Sequence, residues 1–464
     1  MSKKRVMFSP VTRLSGLLSV EVVEERGGII EAKAGGTLFR GIEAIMKGRH
    51  ITDAVYLTQR VCGICSLAHG TVAGYLLDGL YDHELPENAQ YLRNIMLAAD
   101  TLQNHIRHFY FFSLPDYVKM PEQPPFLNQN LHDHRLSQQD NARLVNHYFR
   151  SVAVSQECHQ LLTVFGGKIP HQHSFVHGGV AVAPTADKIS QCLALIHSVH
   201  SFVKECLVPD TELIASAYRD YFRIGGTPGR FLSFGMFRFG SKNQSPLWRS
   251  GVLAGAQLSV PDVRLISEDI TSSWFVNADG QEIPSPSKPA AYSYIKSVQY
   301  AGQTFEMGPL ARMLINGFYR GGNSAMDRIY ARSMETLLIT ELVIDWLNKL
   351  VPGPPPIQQK KVPVKEYAVA ATDVMRGALL HSARIKGEQV EEYRIITPTA
   401  WNFSPKNNKV QTGPVESALT GTVIPGPDML YTVLGRIIRS FDPCISCGTH
   451  VLNAKGDLTG KMVF

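Results

Sequence analysis

Two Cys-x-x-Cys pairs at opposite ends of the chain constrain this sequence more than any other feature. Cys62 and Cys65 lie near the start, and Cys444 and Cys447 lie close to the end of the 464 residues. The turn inside each motif brings both sulfurs to one side, so two thiolates can bind one metal. Local zinc ribbons close over a loop of roughly 15–20 residues, whereas these pairs enclose most of the chain. A shared metal therefore requires a fold that brings both ends together at a buried site.

The other cysteines do not indicate a disulfide framework. The chain has seven cysteines, an odd number for a sequence of this length, which argues against structural disulfides. We interpret Cys158, Cys192 and Cys206 as core thiols. Four thiolates are soft ligands that suit zinc, iron–sulfur or another thiophilic metal. Spacing alone leaves both a structural zinc site and a redox metal open.

Helical periodicity dominates the middle of the chain. Apolar residues recur at helical spacing over residues 87–109, 141–166, 186–203 and 325–350, and amphipathic helices of this length pack as a bundle. Alternating residues predict a hairpin over 18–34, and strands at 393–396 and 423–424. These patterns predict an α+β, mainly helical fold. We expect a core of long helices with peripheral β hairpins, and a metal site buried between the N- and C-terminal segments.

The charge and hydropathy patterns exclude some classes of protein. The net charge is +6, but no long Lys/Arg run is present, so a nucleic-acid partner is not indicated. No stretch reaches the roughly 18 apolar residues that a membrane helix needs. No apolar segment follows the charged N-terminus as in a signal peptide. We therefore expect a soluble chain that is not exported by a signal of its own.

The residues that flank the cysteine pairs favour a redox metal over structural zinc. Arg60 precedes the first pair, Asp442 and Pro443 precede the second, and a histidine follows each pair, His69 or His450. A structural zinc site needs none of them. With these flanks, the patterns RxCGxCxxxH and DPCxxCxxH resemble the large, catalytic subunit of nickel–iron hydrogenases.

The resemblance extends over nearly the whole chain. Further matching segments occur in order: PVTR at 10–13, RGIE at 40–43, HIRHFY at 105–110, PH at 170–171, GGV at 178–180, RGAL at 376–379 and PTAWN at 398–402. It implies an enzyme that cleaves H2 reversibly into protons and electrons. It also implies one integrated domain over residues 1–450.

The resemblance assigns a role to each cysteine. Cys62 and Cys444 would be terminal ligands of nickel, and Cys65 and Cys447 would bridge nickel and iron. The iron would also carry CO and cyanide ligands that the protein does not supply. Three other residues would lie near these ligands: Arg376 beside the diatomics, Thr399 with its hydroxyl towards a cyanide, and His69 with a hydrogen bond close to the cluster.

The resemblance also implies a magnesium ion. Its ligands would be Glu43, His450, a backbone carbonyl near Ile395, and water. Oxygen ligands and retained water suit Mg²⁺.

Two departures from the family pattern concern proton transfer and packing. The family usually reads RIEGH where this chain has RLSGL at 13–17, so Ser15 replaces the glutamate that is the usual first proton relay. A hydroxyl does not titrate near neutral pH and passes protons only along a hydrogen-bonded chain. We hypothesise that protons leave through Ser15 and ordered water, or through another acid. The segment Asp373-Val374-Met375 replaces the common EAP before Arg376 and should alter the packing there.

Electrons must also leave, and this chain offers no second cluster motif. A small subunit that carries iron–sulfur clusters is therefore implied. The chain is short for exported relatives, which favours a cytoplasmic complex, with flavin and iron–sulfur subunits that use NAD or ferredoxin. The alternative is a periplasmic enzyme exported with a signal-bearing small subunit. Two other functions stay open: a non-catalytic electron-transfer scaffold related to respiratory NADH–quinone oxidoreductase, and a structural zinc protein.

The residues after His450 predict a processing step. Segment 451–464 resembles the C-terminal extension that a dedicated endopeptidase removes after nickel is loaded, and chain termini tolerate such cleavage. Mass spectrometry of the active protein should show a chain that ends at His450. Fully active enzyme that retains Phe464 would contradict this prediction.

Overall fold

The computed structural model describes residues 3–124, 126, 133–240, 245–278, 281–358 and 360–448. The α-helices of these residues are α1 (Ile42–Met46), α2 (Ala54–Leu57), α3 (Ser66–Tyr81), α4 (Glu87–Arg107), α5 (Gln138–Gly166), α6 (Ala186–Phe202), α7 (Val208–Ala217), α8 (Pro309–Asn316), α9 (Ala325–Lys349), α10 (Pro398–Asn402), α11 (Pro414–Leu419), α12 (Leu430–Ser440) and α13 (Ile445–Gly448). Within this part of the chain, no helix is both long and apolar enough to cross a membrane.

The strands are mostly short. They are β1 (Lys4–Phe8), β2 (Leu18–Glu25), β3 (Gly28–Gly36), β4 (Phe175–Val176), β5 (Gly179–Val180), β6 (Arg230–Ser233), β7 (Met236–Phe239), β8 (Ser245–Trp248), β9 (Gly251–Ala254), β10 (Gln257–Ser259), β11 (Ile266–Asp269), β12 (Phe275–Ala278), β13 (Gln281–Pro284), β14 (Ser297–Tyr300), β15 (Tyr367–Val374), β16 (Gly377–Lys386) and β17 (Gln389–Ile396).

Four long helices form the core. Helix α4 packs against α5 and α9, and α6 packs against the same two helices. The helix starts follow from capping: the Thr185 side chain accepts a hydrogen bond from the Lys188 amide at α6, and Ser324 with Asp327 forms a capping box at α9. Leu92, a core residue of α4, is fully buried, and burial of each such side chain stabilises the folded state by about 1.5–3 kcal/mol. The predicted helical bundle and α+β class are confirmed.

Two antiparallel sheets flank the bundle. Strands β1–β2–β3 form one sheet and β15–β16–β17 the other. The predicted hairpin over 18–34 is confirmed as β2 and β3, and the predicted strand at 393–396 lies in β17. The expected strand at 423–424 is wrong, since Val423 forms only an isolated bridge with Gly28. The positive φ of Gly421 and the tight turn that Thr422 closes onto Leu419 keep this segment from extending.

A buried charge cluster ties the N-terminal segment to α12. The Asp116 carboxylate accepts two hydrogen bonds from Arg439, at 2.6 and 2.7 Å, and also pairs with Arg13. Burial alone would raise the pKa of Asp116, but Arg13 and Arg439 outweigh it and hold that pKa below its usual value. Arg439 also donates to the Thr12 carbonyl at 3.2 Å. The cluster therefore fixes residues 12–13 beside the helix that leads into the second cysteine pair.

Removal of Arg439 should destabilise the protein. Arg439→Ala leaves Asp116 with one cationic partner in the interior, and breaking a buried pair costs about 3–5 kcal/mol. The denaturant midpoint of this variant should fall clearly below that of the parent. Arg394→Ala is the matched control, because its pair with Glu392 at 2.7 Å is exposed and should contribute at most about 1 kcal/mol. Equal denaturant midpoints for the two variants would contradict the proposed stabilising role of this charge cluster.

Candidate metal centre

Each cysteine pair occupies the end of a short helical element. Cys62 follows a 3₁₀ turn over Thr58–Val61, and Cys65 is the residue directly before α3. Cys444 immediately precedes α13, and Cys447 lies within it. Three of the four cysteines therefore lie at the border of a helical segment, and a short turn inside each motif can aim both sulfurs in one direction.

The four sulfurs meet at one point. The Sγ atoms of Cys62 and Cys444 are 3.3 Å apart, and those of Cys65 and Cys447 are 3.1 Å apart. The Sγ atoms of Cys444 and Cys447 are also 3.1 Å apart. All four lie within 4.8 Å of one another, and each cysteine is buried and unoxidised. This arrangement, the four-cysteine site, suits a thiophilic metal with metal–sulfur bonds of about 2.3 Å.

The electrostatics of the site call for a cation. Hydrogen bonds from the other three thiols lower the pKa of Cys62, and burial raises the pKa of Cys447. Four buried sulfurs cannot all carry negative charge without a compensating positive group. A bound metal supplies that charge, and metal binding releases the thiol protons.

Backbone contacts bring the two chain ends together. The Ile445 amide donates to the Ser15 carbonyl at 2.7 Å, and Ser15 pairs with Cys444 as a parallel bridge. Gly16 has a positive φ of 87°, and a Cβ there would lie 2.6 Å from the Ser446 amide nitrogen, so only glycine fits this approach. Arg40 donates to the Val61 carbonyl and, at 2.5 Å, to the Ser446 carbonyl. One guanidinium thus joins both cysteine segments.

Arg376 presents unpaired donors beside the sulfurs. Its Nε donates to the Asp442 carbonyl at 3.1 Å, and it also lies 3.2 Å from the Asp442 carboxylate. Both terminal nitrogens of Arg376 are buried without a hydrogen-bond partner. They belong to a small cavity that Cys65, Cys447 and Thr399 also line. Buried unsatisfied donors are costly, so this corner fits a metal that carries hydrogen-bond acceptors of its own.

A buried arginine positions the segment before Arg376. Arg312 donates to the Val374 and Met375 carbonyls at 2.8 and 3.2 Å. It also pairs with Asp373 at 3.2 Å, and the Asp373 carboxylate accepts the Phe234 amide at 2.8 Å. Residues 373–375, which differ from the common family pattern, therefore lie within a satisfied hydrogen-bond network.

Thr399 and His69 line the same cavity with different partners. The Thr399 hydroxyl accepts the Cys444 amide at 3.2 Å and keeps its own proton to donate. Burial lowers the pKa of His69 to about 4, so the ring is neutral. Its Nδ1 lies 3.2 Å from Nε2 of His381, whose other ring nitrogen lies 2.9 Å from the Tyr393 hydroxyl. Sequence reasoning missed His381, which lies on β16 just after the RGAL segment and outside the matched motif.

Glu43 lies in a separate polar cavity. Its carboxylate accepts the Ile395 amide at 2.7 Å, and burial raises its pKa to about 7. Glu268, Lys296 and Gly448 also line this cavity. Two carboxylates suit a hard cation. Sequence reasoning missed Glu268 and Lys296, because they lie among short strands with no helical or metal-binding pattern. His450 lies outside the described residues.

Known hydrogenases resemble this chain over nearly its whole length. A family model for nickel-dependent hydrogenase matches residues 40–123, 122–323 and 318–450. The periplasmic NiFeSe hydrogenase large subunit of Desulfomicrobium baculatum is 32% identical over 98% of this chain and 96% of that protein. The hydrogenase-2 large chain of Escherichia coli K12 is 27% identical over 98% of each. The solved structure of the reduced Ni-Fe-Se hydrogenase from D. vulgaris Hildenborough matches with a TM-score of 0.93 and 32% identity, over 97% of this chain and 100% of that chain.

Loss of one thiol should abolish metal binding at this site. Cys62→Ser removes a soft ligand, and we expect the purified variant to retain less than about a tenth of the parent's bound transition metal, since even outer partners of ligands change affinity by 10–100-fold. Elemental analysis measures this directly. Cys158→Ser, at a buried thiol outside the site, is the control and should retain full metal content. Equal metal in both variants would exclude the four-cysteine site as the binding site.

Proposed function

This chain belongs to the nickel-dependent hydrogenase family as a large, catalytic subunit, and from that premise we propose a residue-level account of how it acts on H2. Cys62 and Cys444 would hold nickel, and Cys65 and Cys447 would bind both nickel and iron. The observation that carries this assignment is the convergence of four buried sulfurs within 4.8 Å of one another. When bound, the nickel–iron pair supplies Lewis acidity that polarises H2 for heterolytic cleavage.

The protein's own residues shape the surroundings of that chemistry. The buried four-cysteine site excludes bulk water, which strengthens every electrostatic interaction inside it. Arg376 lines the small cavity beside the sulfurs, and its two terminal nitrogens are buried without a hydrogen-bond partner, so they can donate to CO and cyanide ligands on iron. Thr399 has a hydroxyl proton for a cyanide nitrogen. His69, neutral and hydrogen-bonded to His381, packs beside them and fixes one wall.

A magnesium ion is the proposed occupant of the Glu43 cavity. Glu43, His450 and the Ile395 carbonyl are its ligands in this proposal, with water completing the shell. The support from this structure is the half-buried Glu43 carboxylate, which lines one cavity together with Glu268. Such an ion would hold the C-terminal segment that follows Cys447 against β17.

The partners follow from the direction of electron flow. The hydrogenase large-subunit relatives imply a small subunit, and we propose that it carries the iron–sulfur clusters. Flavin and iron–sulfur subunits that use NAD or ferredoxin would complete a cytoplasmic complex. The alternative is the periplasm, the location given in the name of the D. baculatum relative. Residues 1–450 would form one domain, with an endopeptidase removing 451–464 after nickel loading.

The other two functions receive less support. A structural zinc site does not account for Arg376, whose unpaired donors face the sulfurs. A non-catalytic electron-transfer scaffold has no use for four thiols converging in its interior. Both would also leave the nickel-dependent family match without a reason.

Metal analysis and infrared spectroscopy test the proposed function. The purified large and small subunits should contain nickel and iron in equal amounts, and bands from CO and cyanide should appear, because almost no other protein carries these ligands. Zinc alone, without such bands, would refute the nickel–iron assignment. The Cys158→Ser variant should give the same bands as the parent.

Replacement of Arg376 tests its place beside the iron ligands. Arg376→Met keeps a long side chain but removes the charge and both donors. Turnover should fall by about 10²–10³-fold, the usual cost of losing a preorganised donor, while nickel and iron stay bound. The cyanide bands should shift, since their hydrogen bonds are lost. Unchanged band positions would show that Arg376 does not contact these ligands.

A further inference from the structure

A cavity adjoins the first cysteine pair and reaches the surface of the described residues. It encloses about 170 Å³, which is room for several water molecules. Gly63 and Ile64, the two residues between Cys62 and Cys65, form part of its wall. Lys168 and Pro170 also line it and are exposed. The cavity thus leads from the cysteine loop to the surface of the chain.

One acid lies at the inner end of this cavity. Asp100 is only 3% exposed, and its Oδ2 is buried without a hydrogen-bond partner. It belongs to the inner face of α4, whose last residue, Arg107, lines the same cavity. A buried carboxylate with an unsatisfied oxygen costs free energy, and such groups cluster where function requires them.

The charges around Asp100 place it within electrostatic reach of the four-cysteine site. Burial is the main cause that raises the pKa of Asp100 to about 7, with Arg107 and Arg376 opposing this rise and Cys62 adding to it. A carboxyl with such a pKa can gain and lose a proton near neutral pH. The other titratable groups that face the cavity are His159 on α5, Lys168 and His171.

Ser15 offers no comparable group. Its contacts with the second cysteine segment run through its backbone, which accepts from the Ile445 amide and donates to the Pro443 carbonyl at 3.4 Å. A serine hydroxyl stays protonated at neutral pH and cannot hold an extra proton. The position of the usual relay therefore lacks an acid, whereas the Asp100 cavity contains one.

We propose that Asp100 is the proton relay of this enzyme, and that protons pass from the four-cysteine site through the Asp100 carboxylate to water in the adjoining cavity. The inference rests on the proposed nickel–iron function. In the oxidising direction, H2 cleavage releases one proton at the site, and Asp100 Oδ2 accepts it to form an O–H bond. The carboxyl then gives one proton to cavity water and returns to its starting charge. No electron moves in this step, and the reverse order delivers protons for H2 formation.

The test compares Asp100→Asn with the parent holoenzyme under H2. The asparagine keeps the size of the side chain and removes the acid. H2 oxidation and the exchange of isotopes between H2 and D2O should both fall by about 10²–10⁴-fold, the usual contribution of a positioned acid–base group. Conversion of para- to ortho-hydrogen should persist, because cleavage and recombination with a retained proton need no exit. Asp100→Glu should recover much of the exchange.

Two controls separate the possible failures. Glu416→Gln changes another fully buried carboxyl and should leave the isotope exchange unchanged. Burial raises the pKa of Glu416 to about 8, and among the described residues its carboxylate accepts hydrogen bonds from the Ala34 amide and the Tyr292 hydroxyl. If the rate of isotope exchange in Asp100→Asn stays within twofold of the parent rate, Asp100 is not the proton relay. A parent enzyme with neither nickel nor para–ortho conversion would instead refute the proposed function.

A second readout covers an Asp100→Asn protein that does not retain its metals. In the parent, the infrared carboxylic C=O band should grow as pH falls through about 7 and should move in Asp100→Glu. If that band is absent in the parent, the relay is overturned.

Discussion

The mutual approach of four buried sulfurs is the constraint on which the rest of this structure depends. Each of the four cysteines is buried away from water, and their sulfurs lie within 4.8 Å of one another. Uncompensated, such a cluster would repel itself strongly at low dielectric. The fold therefore has to hold both chain ends rigidly in place before the metal is bound. Three contacts serve this purpose. Arg40 joins the two cysteine segments, Gly16 allows a close backbone approach, and Asp116 pairs with Arg439 on α12.

A layer of paired charges surrounds the sulfurs and sets their field. Burial would raise the pKa of Asp442, but Arg376 and Arg332 hold it well below its usual value, so Asp442 stays ionised. Asn104 donates to the same carboxylate at 2.7 Å. Asp442 engages only the Nε side of Arg376, and both terminal nitrogens stay without a hydrogen-bond partner in the protein. The pairing with Asp442 thus helps to fix the orientation of the Arg376 side chain.

The sequence reveals the features that local patterns encode, and little of what depends on long-range packing. Helices α4, α5, α6 and α9 follow from their apolar periodicity and caps, and the cysteines from their spacing. Strands β15 and β16 escaped sequence reading, although β16 runs over ten residues, because each contains an unbroken run of buried residues, 372–374 in β15 and 377–381 in β16. His381, Glu268, Lys296 and Asp100 also escaped it. Each acquires its surroundings only when distant elements pack together, and none belongs to a metal-binding motif.

The same difference between local sequence patterns and long-range packing explains how a serine can occupy the position where the family pattern has an acid. The N-terminal segment has a geometric task, to pair its backbone with residues 443–445 and to pass close to Ser446 at Gly16. That task depends on backbone groups and on a missing Cβ, and it puts no demand on the side chain of Ser15. An acid for proton transfer needs burial, a nearby charge and a wet path to the surface, which are properties of a cavity rather than of a segment. The backbone pairing can therefore stay in the N-terminal segment while α4 supplies the acid for proton transfer, without any change to the metal ligands.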